Sequence, residues 1–403
     1  MKFLRDALDK VKPHFEKGGK WEKFYYIYEA HDTLLFAPNH TTKATGVQIR
    51  DAVDMKRMMM TVIIAMLPCL LFGIYNVGYQ HFIAIGQPDA SLLNMIWVGL
   101  YKTVPIIAVS YIFGLGTEFT FATIRRHPVN EGFLVSGMLI PLVMPPDIPL
   151  WQVALATVFA VIIAKEAFGG TGMNILNVAL TARAFLYFAY PGQISGDVWT
   201  YIGGDNQAVA GYSGATPLAI GASAVESGEN MVSSLNAFSY GDGLAEGMYS
   251  FSNLFFGLYP GSIGATSVLM CLIGAIVLIV TGVGSWKIIV SVFAGAYGMA
   301  ALFNVIGGNA FMSLPPEYHL VMGGLAFGAV FMATDPVSAA QTETGKWIYG
   351  LLIGILTVLI RVLNPAYPEG IMLAILFMNV FAPLVDYYVV KANKKRRLQR
   401  ATV

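Results

Sequence analysis

Ten apolar segments, each near the length needed to cross a lipid bilayer, constrain the fold of this chain more than any other feature. A helix needs about 20 residues to cross roughly 30 Å of hydrocarbon. Of the 403 residues, 56% are hydrophobic and 12% are charged, which excludes an ordinary soluble enzyme. The pattern therefore predicts an all-α polytopic membrane protein with about ten transmembrane helices. The segments lie near residues 57–78, 97–122, 131–145, 149–167, 173–190, 264–283, 286–306, 319–334, 346–363 and 369–390.

The third and eighth segments, 131–145 and 319–334, are short and rich in glycine and proline. Such composition is typical of broken or re-entrant helices, which are tolerated at membrane depth where protein or a water-filled cavity covers them. We expect both segments to be short or broken.

A faint internal repeat relates the two halves of the chain. The turns at 145–147 and 335–336 are each followed by an apolar segment that begins with Trp, and then by one that contains Asn177 or Asn379. Five segments per half is an odd number, so the second half would insert upside down relative to the first. The sequence thus predicts two inverted five-helix repeats.

Lys and Arg residues predict the orientation, because short loops that carry them stay in the cytoplasm. Only Arg361, after the ninth segment, goes against this rule. Residues 184–286 contain neither Lys nor Arg but six acidic residues, so the long loop there should be periplasmic. The cations follow even-numbered segments: Arg125, Arg126, Lys165, Lys287, Lys346, Lys391, Lys394, Lys395, Arg396 and Arg397.

These patterns divide the chain into five regions. The first 56 residues lack the apolar core of a cleaved secretory signal, so we expect both termini in the cytoplasm. The expected regions are a cytoplasmic N-terminal arm (1–56), a first membrane repeat (57–190), a periplasmic loop (191–263), a second membrane repeat (264–390) and a basic cytoplasmic tail (391–403).

Several functional classes are disfavoured. The sequence contains no GxGxxG, GxxxxGK[ST], HExxH or GxSxG motif, so nucleotide hydrolysis or hydride transfer by this chain is not expected. Cys69 and Cys271 each lie within an apolar segment, and the six histidines lack ligand spacing, so no metal site is expected. A net charge of +1 gives no reason to expect nucleic-acid binding.

The long loop contains the motif Ser213-Gly214-Ala215-Thr216. It resembles the flavinylation motif of a family of membrane proteins that includes the B subunits of the sodium-translocating NADH:quinone oxidoreductases (NqrB) and the D subunits of the Rnf complexes (RnfD). A phosphoester needs an unhindered hydroxyl, and small neighbouring residues let a flavin phosphate approach the backbone. The resemblance implies FMN joined through its phosphate to Thr216, as a cofactor site that includes the whole motif.

The resemblance extends over nearly the whole chain, and the long N-terminal arm favours the NqrB branch. One departure is Ala265, where much of the family has Glu after Ser-Ile-Gly. The matching stretches are 127–132 (HPVNEG), 165–174 with Asn177, 188–191 (FAYP), 260–264 (PGSIG), 334–336 (TDP) and the end near Asn379 and Asp386.

The resemblance implies a bacterial inner-membrane complex that passes electrons from NADH through flavins to ubiquinone and exports Na⁺. The implied partners are the other five subunits (A, C, D, E and F), a periplasmic FMN transferase and membrane lipids. The family also holds noncovalent riboflavin, for which Gly172, Asn174 and Asn177 are the candidate contacts, because Asn side chains donate to and accept from an isoalloxazine edge. Helix packing through small residues is the alternative for this segment.

Quinone and ion sites are predicted at two further sets of residues. In the arm, Trp21 and Tyr25 either pack simply on the membrane domain or help to form a quinone pocket, with Glu131 and Gly132 as further candidates. Acidic groups at membrane depth usually serve an ion path, and Glu131, Asp335 and Asp386 are the candidates. In Asp335-Pro336 the proline frees nearby carbonyl groups, which together with the carboxylate suit a hard cation.

Two other functions stay open on the sequence. One is an RnfD-type component of a ferredoxin-linked complex, with a similar flavin. The other is a non-redox channel or permease with an inverted repeat, in which the SGAT motif has arisen by chance.

Overall fold

A computed structural model describes residues 2–16, 18–36, 54–126, 132–203, 207–239, 247–364 and 369–401. Every regular element in these ranges is helical. The candidate Glu131, together with residues 127–130 of the motif before it, lies outside them.

The arm forms helices α1 (Lys2–Phe15) and α2 (Tyr25–Leu35), joined by a 3₁₀ turn (Glu22–Phe24). The other helices, in chain order, are α3 (Met55–Ala84), α4 (Leu92–Arg125), α5 (Phe133–Leu142), α6 (Leu150–Ala160), α7 (Val178–Ala189), α8 (Pro217–Ser227), α9 (Met231–Asn236), α10 (Phe251–Phe256), α11 (Val268–Val280), α12 (Trp286–Ile306), α13 (Pro316–Val321), α14 (Leu325–Phe327), α15 (Glu343–Leu363) and α16 (Ile371–Ala401).

Six helical stretches of the described chain are long and apolar enough to cross a membrane. They are α3, α4, α12, α15, α16 and the stretch Leu150–Phe168, in which a π turn and a 3₁₀ turn continue α6. Helices α5, α7 and α11 are apolar but shorter. An all-helical membrane protein is thus confirmed, whereas four of the ten predicted segments are not full-length helices.

The predicted helix bounds are wrong where a side-chain cap or glycines set the end of a helix. Helix α7 begins at Val178 instead of near 173, because the Asn177 side chain accepts a hydrogen bond from the Leu180 amide and caps it (3.2 Å). Gly169, Gly170 and Gly172 before it have φ between +90° and +115°, which residues with a Cβ rarely adopt. Conversely, α16 runs to Ala401, so the basic tail continues the last helix.

The eighth segment is broken, as predicted. Helix α13 stops at Val321, and Gly323 and Gly324 both have positive φ (+64° and +66°) before α14 and a π turn, Gly328–Met332, continue the segment. The carbonyl groups freed by the break need hydrogen-bond donors.

Arg361 supplies these donors. Its side chain is fully buried and donates to the carbonyl oxygens of His319 (2.5 Å), Met322 (2.8 Å) and Glu369 (3.2 Å). Arg361 is therefore a buried hydrogen-bond donor and is not a charged residue of a loop. This explains why it does not follow the rule that Lys and Arg in short loops lie in the cytoplasm.

Helices from the two halves pack closely through small residues. Helices α3 and α11 touch at Cys69 and Cys271, and a Cβ on Gly73 of α3 would lie 2.0 Å from the Ile263 carbonyl oxygen. Within the second half, a Cβ on Gly295 of α12 would lie 2.3 Å from the Leu351 carbonyl oxygen of α15. Such close backbone approach is typical of helix packing in membranes.

Candidate functional site

The Thr216 hydroxyl caps helix α8. Its oxygen accepts a hydrogen bond from the Ala219 amide (3.2 Å), and Pro217 occupies the first helical position. This places Thr216 at the positive end of the helix dipole, where backbone amides favour a bound anion.

The other three residues of the motif, 213–215, contact Asp197 and Tyr249. A Cβ on Gly214 would lie 2.4 Å from the Asp197 carbonyl oxygen, so only glycine fits. The Ser213 hydroxyl donates to the Asp197 carboxylate (3.1 Å), and the Tyr249 hydroxyl donates to the Ala215 carbonyl (2.7 Å). The small residue at 214 thus serves close packing of this loop against residues 197–200.

Thr216 lines a narrow cleft, here called the threonine cleft. The guanidinium of Arg183, from α7, lies in its wall at 3% exposure and forms an ion pair with Glu369. Arg183 also donates to the Val143 carbonyl and lies 5.4 Å from the Trp199 ring centre. Ala265, at the position where Glu was expected, lines the same cleft. A phosphate on Thr216 would find a buried cation and a helix N-terminus here.

A second cleft lies between the two halves and is here called the central cleft. Asn174, Asn177, Gly132 and Asp335 all line it, so candidates predicted for three different roles share one site. Its apolar lining includes Met58, Met59, Val62, Leu139, Leu278 and Phe331.

The two Asn side chains of the central cleft are partly engaged already. The Asn174 amide donates to the Leu176 carbonyl (3.2 Å), and the Asn177 side-chain oxygen caps α7. Gly172 is exposed and does not line the cleft. The adjacent Thr171 does line it, and a Cβ on Gly132 would lie 2.6 Å from the Thr171 methyl carbon.

The two acidic candidates in the described chain have different contacts. Asp335 accepts hydrogen bonds from the Ser338 hydroxyl (2.6 Å) and the Val337 amide (3.3 Å), beside the central cleft. Asp386 accepts bonds from the amides of Gln341 (2.7 Å) and Thr342 (3.0 Å) and from the Thr342 hydroxyl (2.5 Å). Asp386 therefore holds the loop that leads into α15, away from the lining of the cleft.

The arm forms a third, larger cleft with the C-terminal end of α4. Trp21 and Tyr25 line it, opposite Ile124 and Arg126. Trp21 keeps 49% of its surface exposed in this chain. The quinone candidates are thus divided between this arm cleft and the central cleft, where Gly132 lies.

Buried ion pairs complete the sites, and sequence patterns only hinted at them. Lys165 contacts Glu118 in the wall of the central cleft, and Arg183 contacts Glu369 in the threonine cleft. In the sequence, the feature that could have identified Lys165 and Arg183 was a charged residue within or next to an apolar segment. Such residues are often functional in membrane proteins. The partner of each charge could not be read from its neighbours along the chain.

These features define a polytopic helical membrane protein with polar clefts between its halves and a capped threonine in a loop. Residues 42–395 match the model of the NQR2, RnfD, RnfE family, and the chain belongs to that family.

Full-length relatives agree with this assignment. The chain is 48% identical to the B subunit of the Na(+)-translocating NADH-quinone reductase of Stutzerimonas stutzeri (strain A1501), over 98% of this chain and 99% of the relative. The B subunits of the same enzyme from two other bacteria are similarly close: Ectopseudomonas mendocina (strain ymp), 48% identical over 98% and 99%, and Chromohalobacter salexigens, 48% identical over 98% and 96%.

Proposed function

We propose that the chain is the B-type membrane subunit of a Na⁺-translocating NADH:quinone reductase, a translocase that couples electron transfer to ubiquinone with sodium export. The observation that carries this proposal is 48% identity over 98% of the chain to relatives of that description. The partners would be the A, C, D, E and F subunits of the complex.

We propose further that Thr216 carries FMN through a phosphoester formed by a periplasmic FMN transferase. The half-buried hydroxyl lies at the N-terminus of α8, and Thr216 lines the same cleft as Arg183. Both features stabilise the negative charge that a phosphodiester retains. The flavin supplies electron-transfer chemistry when bound, while the α8 amides and Arg183, itself held by Glu369, would orient its phosphate.

The test separates flavin attachment from helix capping. Thr216→Asn keeps a capping side chain but removes the hydroxyl, whereas Thr216→Ser keeps both. In denaturing gels we expect flavin fluorescence on the native protein and the Ser variant and none on the Asn variant, with mass spectrometry locating the flavin on the peptide that contains residue 216. Flavin retained by the Asn variant would refute this assignment.

The central cleft is proposed to hold noncovalent riboflavin. Asn174, Asn177 and Thr171 offer hydrogen-bonding groups on one side, and the Met58, Leu139 and Phe331 region offers an apolar wall. This division matches an isoalloxazine with a polar edge and an apolar edge. Acid extraction of purified complex should release noncovalent flavin, and Asn174→Leu should reduce its amount while fluorescence of the covalent flavin persists.

The ten segments are proposed to form two inverted repeats, with α3 to α7 in the first and α11, α12, the α14 segment, α15 and α16 in the second. Contacts between α3 and α11, and between α7 and α16, agree with a pseudo-twofold axis between the halves. We place this protein in the bacterial inner membrane, with both termini in the cytoplasm and the loop of Thr216 in the periplasm.

Ubiquinone and Na⁺ are assigned to the remaining candidates. The exposed aromatic side chains of Trp21 and Tyr25, and the segment of Glu131 and Gly132, are proposed to form parts of the quinone site. Asp335 and Glu131 are proposed for the ion path, and Asp386 stays a candidate for it despite its contacts with the loop before α15.

The family also includes RnfD, which would act in a ferredoxin-linked complex. NADH-driven quinone reduction by purified complex, without ferredoxin-linked activity, separates the proposed function from that alternative. The absence of any flavin from purified protein would instead favour a non-redox channel or permease.

A further inference from the structure

Lys165 presents a buried cation to the central cleft. It is the last residue of the π turn Val161–Lys165 that continues α6, and its side chain is 5% exposed. Its ammonium group contacts the carboxylate of Glu118, on α4, which is 4% exposed. Taking two charges out of water is expensive, and a charged residue in a membrane helix usually has a functional reason.

Fastening α6 to α4 does not explain this pair, because the next residue already does so. Glu166 accepts a hydrogen bond from Arg125 (3.2 Å), and the Glu166 carbonyl accepts from the same guanidinium (3.2 Å). Lys165 and Glu166 thus contact residues 118 and 125, two turns apart on α4. In the Arg125–Glu166 pair the Arg125 side chain is partly exposed, whereas both side chains of the Lys165–Glu118 pair are buried.

The orientation of the deep pair distinguishes its two members. Lys165 lines the central cleft and Glu118 does not, so the positive end of the pair faces the space where a ligand would bind. A fixed charge in a low-dielectric site acts strongly on a neighbouring charge and needs no reorganisation. Among the described residues of the lining, the other charged one is Asp335, which accepts hydrogen bonds from Ser338 and Val337.

We infer that Lys165, held in place by Glu118, stabilises the negative charge that the flavin in the central cleft acquires on reduction, and so raises the reduction potential of that flavin. This inference rests on the noncovalent flavin site proposed above. It assigns the buried pair to electron transfer and not to helix packing.

The test uses variants that keep the charge balance. Lys165→Met combined with Glu118→Gln removes both charges of the pair together. Arg125→Met combined with Glu166→Gln is the matched control, because it neutralises the neighbouring pair, which does not line the cleft. Each purified complex is titrated with redox mediators while flavin absorbance is followed, and its noncovalent flavin is extracted and counted.

For the Lys165 double variant we expect flavin content equal to that of the native complex. Its reduction equilibrium should shift at least about tenfold toward the oxidised flavin, which corresponds to about 59 mV for one electron. The control double variant should leave the potential unchanged. An unchanged potential in the Lys165 double variant with full flavin would overturn the inference, while the proposed flavin site would stand.

The single variant Glu118→Gln tests the inference independently if the double variant does not assemble. It leaves the ammonium without its carboxylate, so the equilibrium should move toward the reduced flavin. No shift, or a shift the other way, would overturn the inference. A native complex without extractable flavin would instead remove the proposed site, and the role of Lys165 with it.

Discussion

The sulfur atoms of Cys69 and Cys271 lie 3.8 Å apart where α3 crosses α11. Both thiols are free and buried, and they are the only cysteines in the chain. The contact joins residues 202 positions apart in sequence and lies between the two halves.

We therefore expect a membrane-permeant oxidant such as iodine to join the two thiols into an intramolecular disulfide in intact membranes. Mass spectrometry of the digested, unreduced protein should detect the linked peptides, and Cys69→Ser should abolish the link. If the native chain instead forms only links to other chains, the proposed packing of α3 against α11 is wrong.

Gly214→Ala should disturb the loop of Thr216, because the new Cβ would lie 2.4 Å from the Asp197 carbonyl oxygen. Overpacking of this kind costs about 1–3 kcal/mol. We expect a lower melting temperature and less covalent flavin per chain, measured by a thermal-shift assay and gel fluorescence. Gly116→Ala on α4 is the control, since a Cβ there meets no neighbouring element within 4 Å and should lower neither quantity.

Asp335→Asn should raise the sodium concentration needed for half-maximal quinone reduction, because it removes the charge beside the central cleft while keeping the size of the side chain. Flavin content should stay at the native value. Unaltered sodium dependence in an assembled variant would remove Asp335 from the ion path.

Asp386→Asn separates the two acids. It weakens three hydrogen bonds to Gln341 and Thr342, and bonds to a charged group are each worth about 1.5–3 kcal/mol, so the melting temperature should fall. A changed sodium requirement in this variant would support the sequence-based prediction that Asp386 also serves the ion path.

Thiol labelling tests the orientation of the chain. In a variant without Cys69 and Cys271, a cysteine at Ser223 should react with a membrane-impermeant reagent in intact spheroplasts. A cysteine at Ala392 should react only after lysis. The reverse pattern would place the loop of Thr216 in the cytoplasm and contradict the proposed side of flavin attachment.

Sequence patterns predicted helices best where apolar composition alone decides them. The bounds of α12, Trp286–Ile306, agree with the prediction, and the break in the eighth segment follows from its glycines. The start of α7 was missed because a side-chain cap at Asn177 set it, and caps depend on a single hydrogen bond.

The clefts were less predictable than the helices. Asn174 and Asp335 are 161 positions apart and meet in the central cleft only because the two halves pack together. Likewise, Arg183 gains Glu369 from the other half. Local pattern identifies which residues are unusual, but tertiary packing decides which of them share a site.

Helix α7 also sets the distance between the central cleft and the threonine cleft. Asn177 at its start lines the central cleft, and Arg183 lines the threonine cleft, six residues along the chain and therefore about 9 Å along the helix axis. Water and polar groups around the proposed flavins in the two clefts would concentrate the membrane potential across the protein between them. A charge that crossed those ~9 Å would then exchange up to the full ~2.3 kcal/mol per 100 mV that elsewhere is spread over roughly 30 Å of hydrocarbon. The field at α7 would be about three times that in the surrounding lipid, so voltage would act mainly on the step between the two clefts.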